Sequence, residues 1–202
     1  MKVKICGITD IKSAVTSYTN GADALGFVFA NSKRKVSVET AANISKELPT
    51  NIIKVGVFVN ESKEVIEETA MKVGLTHLQL HGDESPKYCQ GFSLPVIKAI
   101  NVRSYEDLQL INKFDCCEYI LFDGPKAKYY GGNGLKFNWE LLNYKDISMK
   151  KIIIAGGLNI ENVTEAISVT EPYMVDVSSG VETNGKKDLN KIREFINKVK
   201  NE

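Results

Sequence analysis

No stretch of this chain approaches the ~20 consecutive apolar residues of a membrane span. Its first residues also lack the charge, apolar run and cleavage site of a secretion signal. A membrane partner is therefore not expected. Charge imbalance is missing too: 26 basic and 25 acidic residues leave a formal net charge of +1. A general nucleic-acid binder would show a basic excess or stripe, so no nucleic-acid partner is expected, although a local basic pocket for a small anion is allowed. Cysteine is sparse, with Cys6, Cys89, Cys116 and Cys117 only. The adjacent pair fits no zinc spacing and the four make no disulfide framework. Neither a metal nor a disulfide is expected, and reduced thiols in the cytoplasm are the simplest account, with Cys89, Cys116 and Cys117 read as structural. Linkers, low-complexity tracts and shifts of composition are absent, so residues 1–202 read as one domain, long enough for a sizeable core.

What is present is repetition. Apolar, β-branched runs predict strands at Val3–Ile8, Ala22–Phe29, Ile52–Val59, His77–His81, Val96–Ile100, Tyr119–Asp123, Lys151–Ala155 and Tyr173–Val177. They recur roughly every 24 residues, the length of a strand-plus-helix unit. Between them the apolar period is helical, as in Ile66, Ala70 and Val73, and in Leu189, Ile192, Phe195, Ile196 and Val199 on a final helix. Asp10 is placed to cap the first helix, Asn60–Glu61 to start the one after strand three, and Asp83–Glu84 to start the next. Eight such units predict an α/β fold, a single (β/α)8 TIM barrel of eight parallel strands. A doubly wound sheet would have fewer strands and usually a glycine-rich turn after the first. Cys6-Gly7-Ile8-Thr9 offers one glycine there.

Active sites of such barrels form at the C-terminal strand ends. Those ends hold Cys6, then Gln79 and His81, then Asp123, Gly156-Gly157, and Asp176 followed by Ser178-Ser179-Gly180. Alternation in Val3-Lys4-Ile5-Cys6 places Lys4 and Cys6 on one face of strand one. A free cysteine there is either a small buried hydrophobe or a group aimed into the site. Glycines let a backbone approach a ligand, and helix starts present free N–H groups to anions. Gly156 and Gly157, which read as opening a helix through Leu158–Asn162, together with Ser178, Ser179 and Gly180, therefore predict a phosphate cradle after strands seven and eight. Gly131-Gly132-Asn133-Gly134 is a third flexible loop.

Lys4-Ile5-Cys6-Gly7-Ile8-Thr9, Leu78-Gln79-Leu80-His81-Gly82, Leu121-Phe122-Asp123, Gly131-Gly132-Asn133-Gly134 with Phe137-Asn138-Trp139, Ala155-Gly156-Gly157-Leu158 and Val175-Asp176-Val177-Ser178-Ser179-Gly180-Val181-Glu182 resemble, in this order, the phosphoribosylanthranilate isomerases. That family performs an Amadori rearrangement in tryptophan biosynthesis. Departures are few. Ser32-Lys33-Arg34 stands for the family's Ser-Pro-Arg, Asn133 for a threonine, Ile160 for a proline and Asn138 for an aspartate.

The resemblance implies a phosphorylated small-molecule substrate carrying an aminoaldose ring and an anthranilate carboxylate, with no cofactor. Cys6 would be the general base and Asp123 the general acid. Arg34 would pair with the anthranilate carboxylate, and Gln79, His81 and Asp176 would contact substrate, Asp176 through sugar hydroxyls. An ordinary Asp (pKa about 3.9) is ionised at neutral pH and an ordinary Cys (about 8.5) is not. Desolvation is expected to raise Asp123, and a nearby cation or helix start to lower Cys6. Small barrels of this kind are monomers or homodimers. The alternatives are a non-catalytic phosphate-ligand barrel and another phosphosugar enzyme. A related synthase would need a catalytic lysine, for which Lys4 and Lys98 are the strand candidates.

Overall fold

The computed structural model of the protein describes residues 1–124, 139 and 150–202. Eight strands, β1 (Lys2–Cys6), β2 (Ala24–Val28), β3 (Ile53–Phe58), β4 (His77–Leu80), β5 (Val96–Asn101), β6 (Tyr119–Asp123), β7 (Lys151–Ile154) and β8 (Met174–Val177), close into a barrel in sequence order. Every neighbouring pair is parallel, and closure is the pairing of β1 with β8, in register Lys4 to Asp176. All eight expected strands are present, most of them shorter by a residue or two at their ends.

Period-two side chains divide the apolar residues into two layers, as alternation across a strand requires. Outward-facing Val3, Ile5, Leu25, Phe27, Leu78, Leu80, Ile120, Phe122, Ile154, Val175 and Val177 lie in a large core beneath the helices. Inward-facing Ala24, Val55, Ile97, Ala99, Tyr119, Leu121, Ile153, Ala155 and Met174 plug the barrel itself. Lys4 and Cys6 share that inward face, so β1 inserts an ammonium and a thiol, and Gln79 of β4 and Asp176 of β8 turn inward to meet the ammonium.

Helices α1 (Ile11–Thr19), α2 (Val38–Lys46), α3 (Lys63–Val73), α4 (Pro86–Cys89), α5 (Tyr105–Leu108), α6 (Val163–Thr170) and α7 (Leu189–Lys200) connect or follow the strands. Asp10 caps α1, its carboxylate accepting the Ser13 amide at 2.8 Å. On α7, Ile192, Phe195, Ile196 and Val199 are fully buried, which gives roughly 6–12 kcal/mol of gross apolar transfer. Ile66, Ala70 and Val73 are buried along α3, as their spacing requires.

Three local expectations are corrected. The cap of α3 is Ser62, not Asn60, because Asn60 has a left-handed backbone (φ 49°) and turns its carboxamide to the amide of Asp83. The cap of α4 is Ser85, while Glu84 is buried and ion-paired with Lys98 at 2.9 Å. Leu158–Asn162 is a pair of asparagine turns ahead of α6: Asn159 accepts from the amides of Glu161 and Asn162, and Asn162 accepts from that of Asn159. The Gly131–Gly134 loop and Phe137-Asn138 lie outside the described residues, apart from the neighbouring Trp139, which is buried.

Candidate active site

Cys6 is the last residue of β1 and faces the barrel mouth, 8% exposed. Room for its thiol comes from β2: a Cβ on Gly26, its register partner, would stand 2.6 Å from the Cys6 sulfur. Burial pushes the thiol above its ordinary range. The Lys4 and Lys187 ammonium groups pull it down, and Asp176 adds to the rise. The cation that sequence reasoning could not name is therefore double, Lys4 below and Lys187 from the loop after β8. Desolvation still wins, so the expected lowering of Cys6 is not what the free protein has.

Lys4 is fully buried, donating to Asp176 Oδ2 at 2.6 Å and to Gln79 Oε1 at 2.8 Å. Burial alone would lower its pKa, but the charges of Asp176 and Cys6 outweigh that and hold it above the usual range. Gln79 passes the contact on: its Nε2 is 2.9 Å from His81 Nδ1, and His81 Nε2 is 3.2 Å from Asp123 Oδ2. Asp123, at the end of β6, keeps 27% of its side chain exposed. Desolvation of Asp123 by the protein is thus only partial. Four expected residues, Gln79, His81, Asp123 and Asp176, are brought into one polar chain with Lys4. Asp176 Oδ1 is buried and has no hydrogen-bond partner among the described residues.

The loops after β7 and β8 meet. Gly156 and Gly157 both have positive φ (79° and 71°). A Cβ on Gly156 would lie 2.3 Å from the Gly124 nitrogen and 2.7 Å from Asp123 Oδ1. Glycine here avoids crowding of the Asp123 carboxylate by a side chain. Asn159 bridges to Gly180 in a short parallel pairing, and Gly157 and Ser179 are exposed on the two loops. Ser178 is otherwise occupied: its hydroxyl donates to the Cys6 carbonyl at 3.0 Å and accepts from Lys187 at 3.3 Å. Its hydroxyl thus braces the end of β1.

Arg34 reaches the same mouth. Its Nε and Nη2 fork onto Glu182 at 2.6 and 2.9 Å, and Lys187 Nζ donates to the same carboxylate at 2.8 Å. A guanidinium has five N–H donors, so Arg34 retains donors for a second carboxylate. Lys187 is almost wholly buried, and burial lowers its pKa against the pull of Glu182. Sequence reasoning missed Lys187 and the role of Glu182. Lys187 belongs to a hairpin of β9 (Glu182–Thr183) and β10 (Lys186–Lys187) whose two-residue strands carry no periodic signal. Alternation put Lys4 on the face of Cys6, but its role as a cation beside the thiol was not read from it.

Known proteins share this arrangement of the chain. The model of the N-(5'phosphoribosyl)anthranilate (PRA) isomerase family matches residues 3–198. N-(5'-phosphoribosyl)anthranilate isomerase of Bacillus mycoides is 54% identical over 201 residues, 99% of this chain and 98% of that protein. The crystal structure of phosphoribosyl anthranilate isomerase from Thermotoga maritima superposes with a TM-score of 0.90 at 44% identity, covering 100% of this chain and 99% of that one. Another, of a phosphoribosyl anthranilate isomerase in complex with reduced 1-(o-carboxyphenylamino)-1-deoxyribulose 5-phosphate, gives 0.88 at 42%, with the same coverage. The chain belongs to the N-(5'-phosphoribosyl)anthranilate isomerase family.

Proposed function

We propose that this protein isomerises N-(5'-phosphoribosyl)anthranilate to 1-(o-carboxyphenylamino)-1-deoxyribulose 5-phosphate in tryptophan biosynthesis, with Asp123 as general acid and Cys6 as general base. The observation that carries the reading is the pairing of a tuned thiol on β1 with an accessible carboxyl on β6, across one mouth lined by two glycine-bearing loops. Family membership supports it.

In this reading the 5'-phosphate sits on the backbone of Gly156, Gly157, Ser179 and Gly180, of which Gly157 and Ser179 are exposed, with Ser178 bracing the loop. The anthranilate carboxylate takes the remaining N–H donors of Arg34, while the orphaned Asp176 Oδ1 accepts a sugar hydroxyl. Asp123 gives its proton to the ring oxygen, the C1'–O bond breaks, and the anthranilate nitrogen's lone pair forms the Schiff base. Cys6 then removes the C2' proton, and the electron pair moves to make the enolamine, which tautomerises to the aminoketose. The thiolate needed for that step forms when its proton leaves toward solvent or substrate, and Lys4 and Lys187 stabilise it.

A lysine-dependent synthase fits the site less well, because both strand lysines are closed into buried ion pairs, Lys4 with Asp176 and Lys98 with Glu84. All the residues invoked come from one chain, so the reading holds for a monomer or a homodimer. No described helix is long and apolar enough to cross a membrane, and a cytoplasmic location is part of the proposal. The test is the fluorescence of the anthranilate substrate, expected to change as the purified protein converts it. A flat trace from folded protein that still binds the product analogue would leave a phosphate-ligand binder and sink the enzyme.

A further inference from the structure

The hydrogen bonds running from Lys4 through Gln79 to His81 can each point in only one direction. A lysine ammonium has three donors and no acceptor. The Gln79 atom at 2.8 Å from Lys4 is therefore the carboxamide oxygen, and the NH2 group must face His81. An amide NH2 only donates, so His81 Nδ1, 2.9 Å away, must be the unprotonated nitrogen. The ring proton then resides on Nε2, and Nε2–H faces Asp123 Oδ2 at 3.2 Å. The ring edge nearest the Asp123 carboxylate therefore carries a proton and not a lone pair.

We infer that Gln79 is a positioning residue, whose carboxamide, oriented by the buried Lys4 ammonium, fixes the Nε2–H tautomer of His81 and so sets an N–H, not a lone pair, beside the Asp123 carboxylate. This rests on Asp123 being the general acid of the proposed reaction. It moves Gln79 from the substrate-contacting set into the support of the acid. That fits its burial, 2% exposed and engaged on both sides by Lys4 and His81. Asp176 anchors the far end of the chain by holding Lys4 at 2.6 Å. Lys4 thereby serves both ends of the chemistry: its charge acts on Cys6, and its hydrogen bond sets the direction of the chain to Asp123.

The chain contains two histidines, His77 and His81, so imidazole nitrogen NMR reads the tautomer directly, with His77→Gln identifying the other ring. The wild-type protein is expected to show His81 with Nδ1 unprotonated and Nε2 protonated. A His81 ring protonated at Nδ1 overturns the inference without any variant, whether or not the protein is an isomerase. Gln79→Glu keeps the size and the bond to Lys4 but replaces the NH2 by a second acceptor. It is expected to draw a proton onto His81 Nδ1 and to lower kcat about 10- to 100-fold, as lost supporting contacts do, with KM little changed. Gln79→Glu with an unchanged tautomer, or with a wild-type kcat, also overturns it. If the wild-type protein is inactive yet shows the expected tautomer, the functional reading fails and the hydrogen-bond assignment stands.

Discussion

Lys4 Nζ and Asp176 Oδ2 lie 2.6 Å apart inside the barrel, on residues that β1 and β8 hold in register at the closure of the sheet. The pair is almost wholly removed from water, with side chains 0% and 6% exposed. Removing one partner of such a pair leaves an uncompensated buried charge. Lys4→Met is therefore expected to cost about 3–5 kcal/mol of stability, read as a shift in the urea midpoint. The double variant Lys4→Met with Asp176→Leu removes both charges and should recover much of that loss while remaining inactive. A Lys4→Met protein as stable as the parent would mean that Asp176 finds another partner, and the closure would then not depend on this pair.

The buried thiol makes a signed statement about pH. Burial raises Cys6 above its ordinary 9.0, so at neutral pH the free protein carries mostly thiol. If thiolate is the base, kcat/KM rises with pH through neutrality and levels off only above that value, because kcat/KM reports the free enzyme's groups. Cys6→Ser is expected to lose that alkaline rise along with ~10²–10⁴ of the rate. Stability should run the other way. A raised folded pKa gives a contribution fully present below 9.0 and lost as pH climbs through the folded value. Cys6→Ala should remove that alkaline loss, which urea unfolding at several pH values would measure.

How much of this was legible beforehand differs from residue to residue. The eight strands were, because inward and outward layers impose a period of two that survives in sequence. Cys6, Asp123 and Gly156 were placed by the ends of those strands, and Lys4 by its spacing from Cys6. What stayed hidden depends on contacts remote in the chain. Arg34 meets Glu182 across 148 positions, and Lys187 arrives beside Cys6 from a hairpin too short to have a pattern. The helix starts went wrong for a local reason. Asn60 and Glu84 have cap-like chemistry, but Asn60 bonds to the Asp83 amide and Glu84 to Lys98 across neighbouring loops, while serines two or one positions on take the caps.

Glu182 should govern the acid side of stability. Its nearly buried carboxylate would be raised by burial, yet the hydrogen bonds from Arg34 and Lys187 outweigh that and hold it below its ordinary 4.5. A depressed carboxylate stabilises the fold above 4.5, and that contribution is lost as pH falls through the folded value. Glu182→Gln is expected to flatten the stability–pH curve below pH 4.5 and to lower the midpoint at neutral pH. It should also free Arg34 and, if Arg34 binds the substrate carboxylate as proposed, raise KM more than it lowers kcat. An acid limb identical to the parent's would assign the pH dependence to Glu84, which burial raises but Lys98 and backbone amides hold low.

Gly156 lies between the loop proposed to hold the phosphate and Asp123, and one methyl group tests the link. Alanine there would be strained by the positive φ of 79°, at a cost of order 1–3 kcal/mol. Its Cβ would also press 2.3 Å from the Gly124 nitrogen and 2.7 Å from Asp123 Oδ1. Either the β7 loop or the carboxyl must move. A displacement of about 1 Å at a reacting group is enough for ~10²-fold in rate, so Gly156→Ala should lose kcat far beyond its stability cost. Gly157→Ala has the same kind of backbone strain, with φ 71°, but it sits on the exposed side of the turn. It is expected to weaken phosphate-analogue affinity with a smaller effect on kcat. Equal losses of kcat in the two variants would mean that loop strain, and not crowding of Asp123, sets the rate.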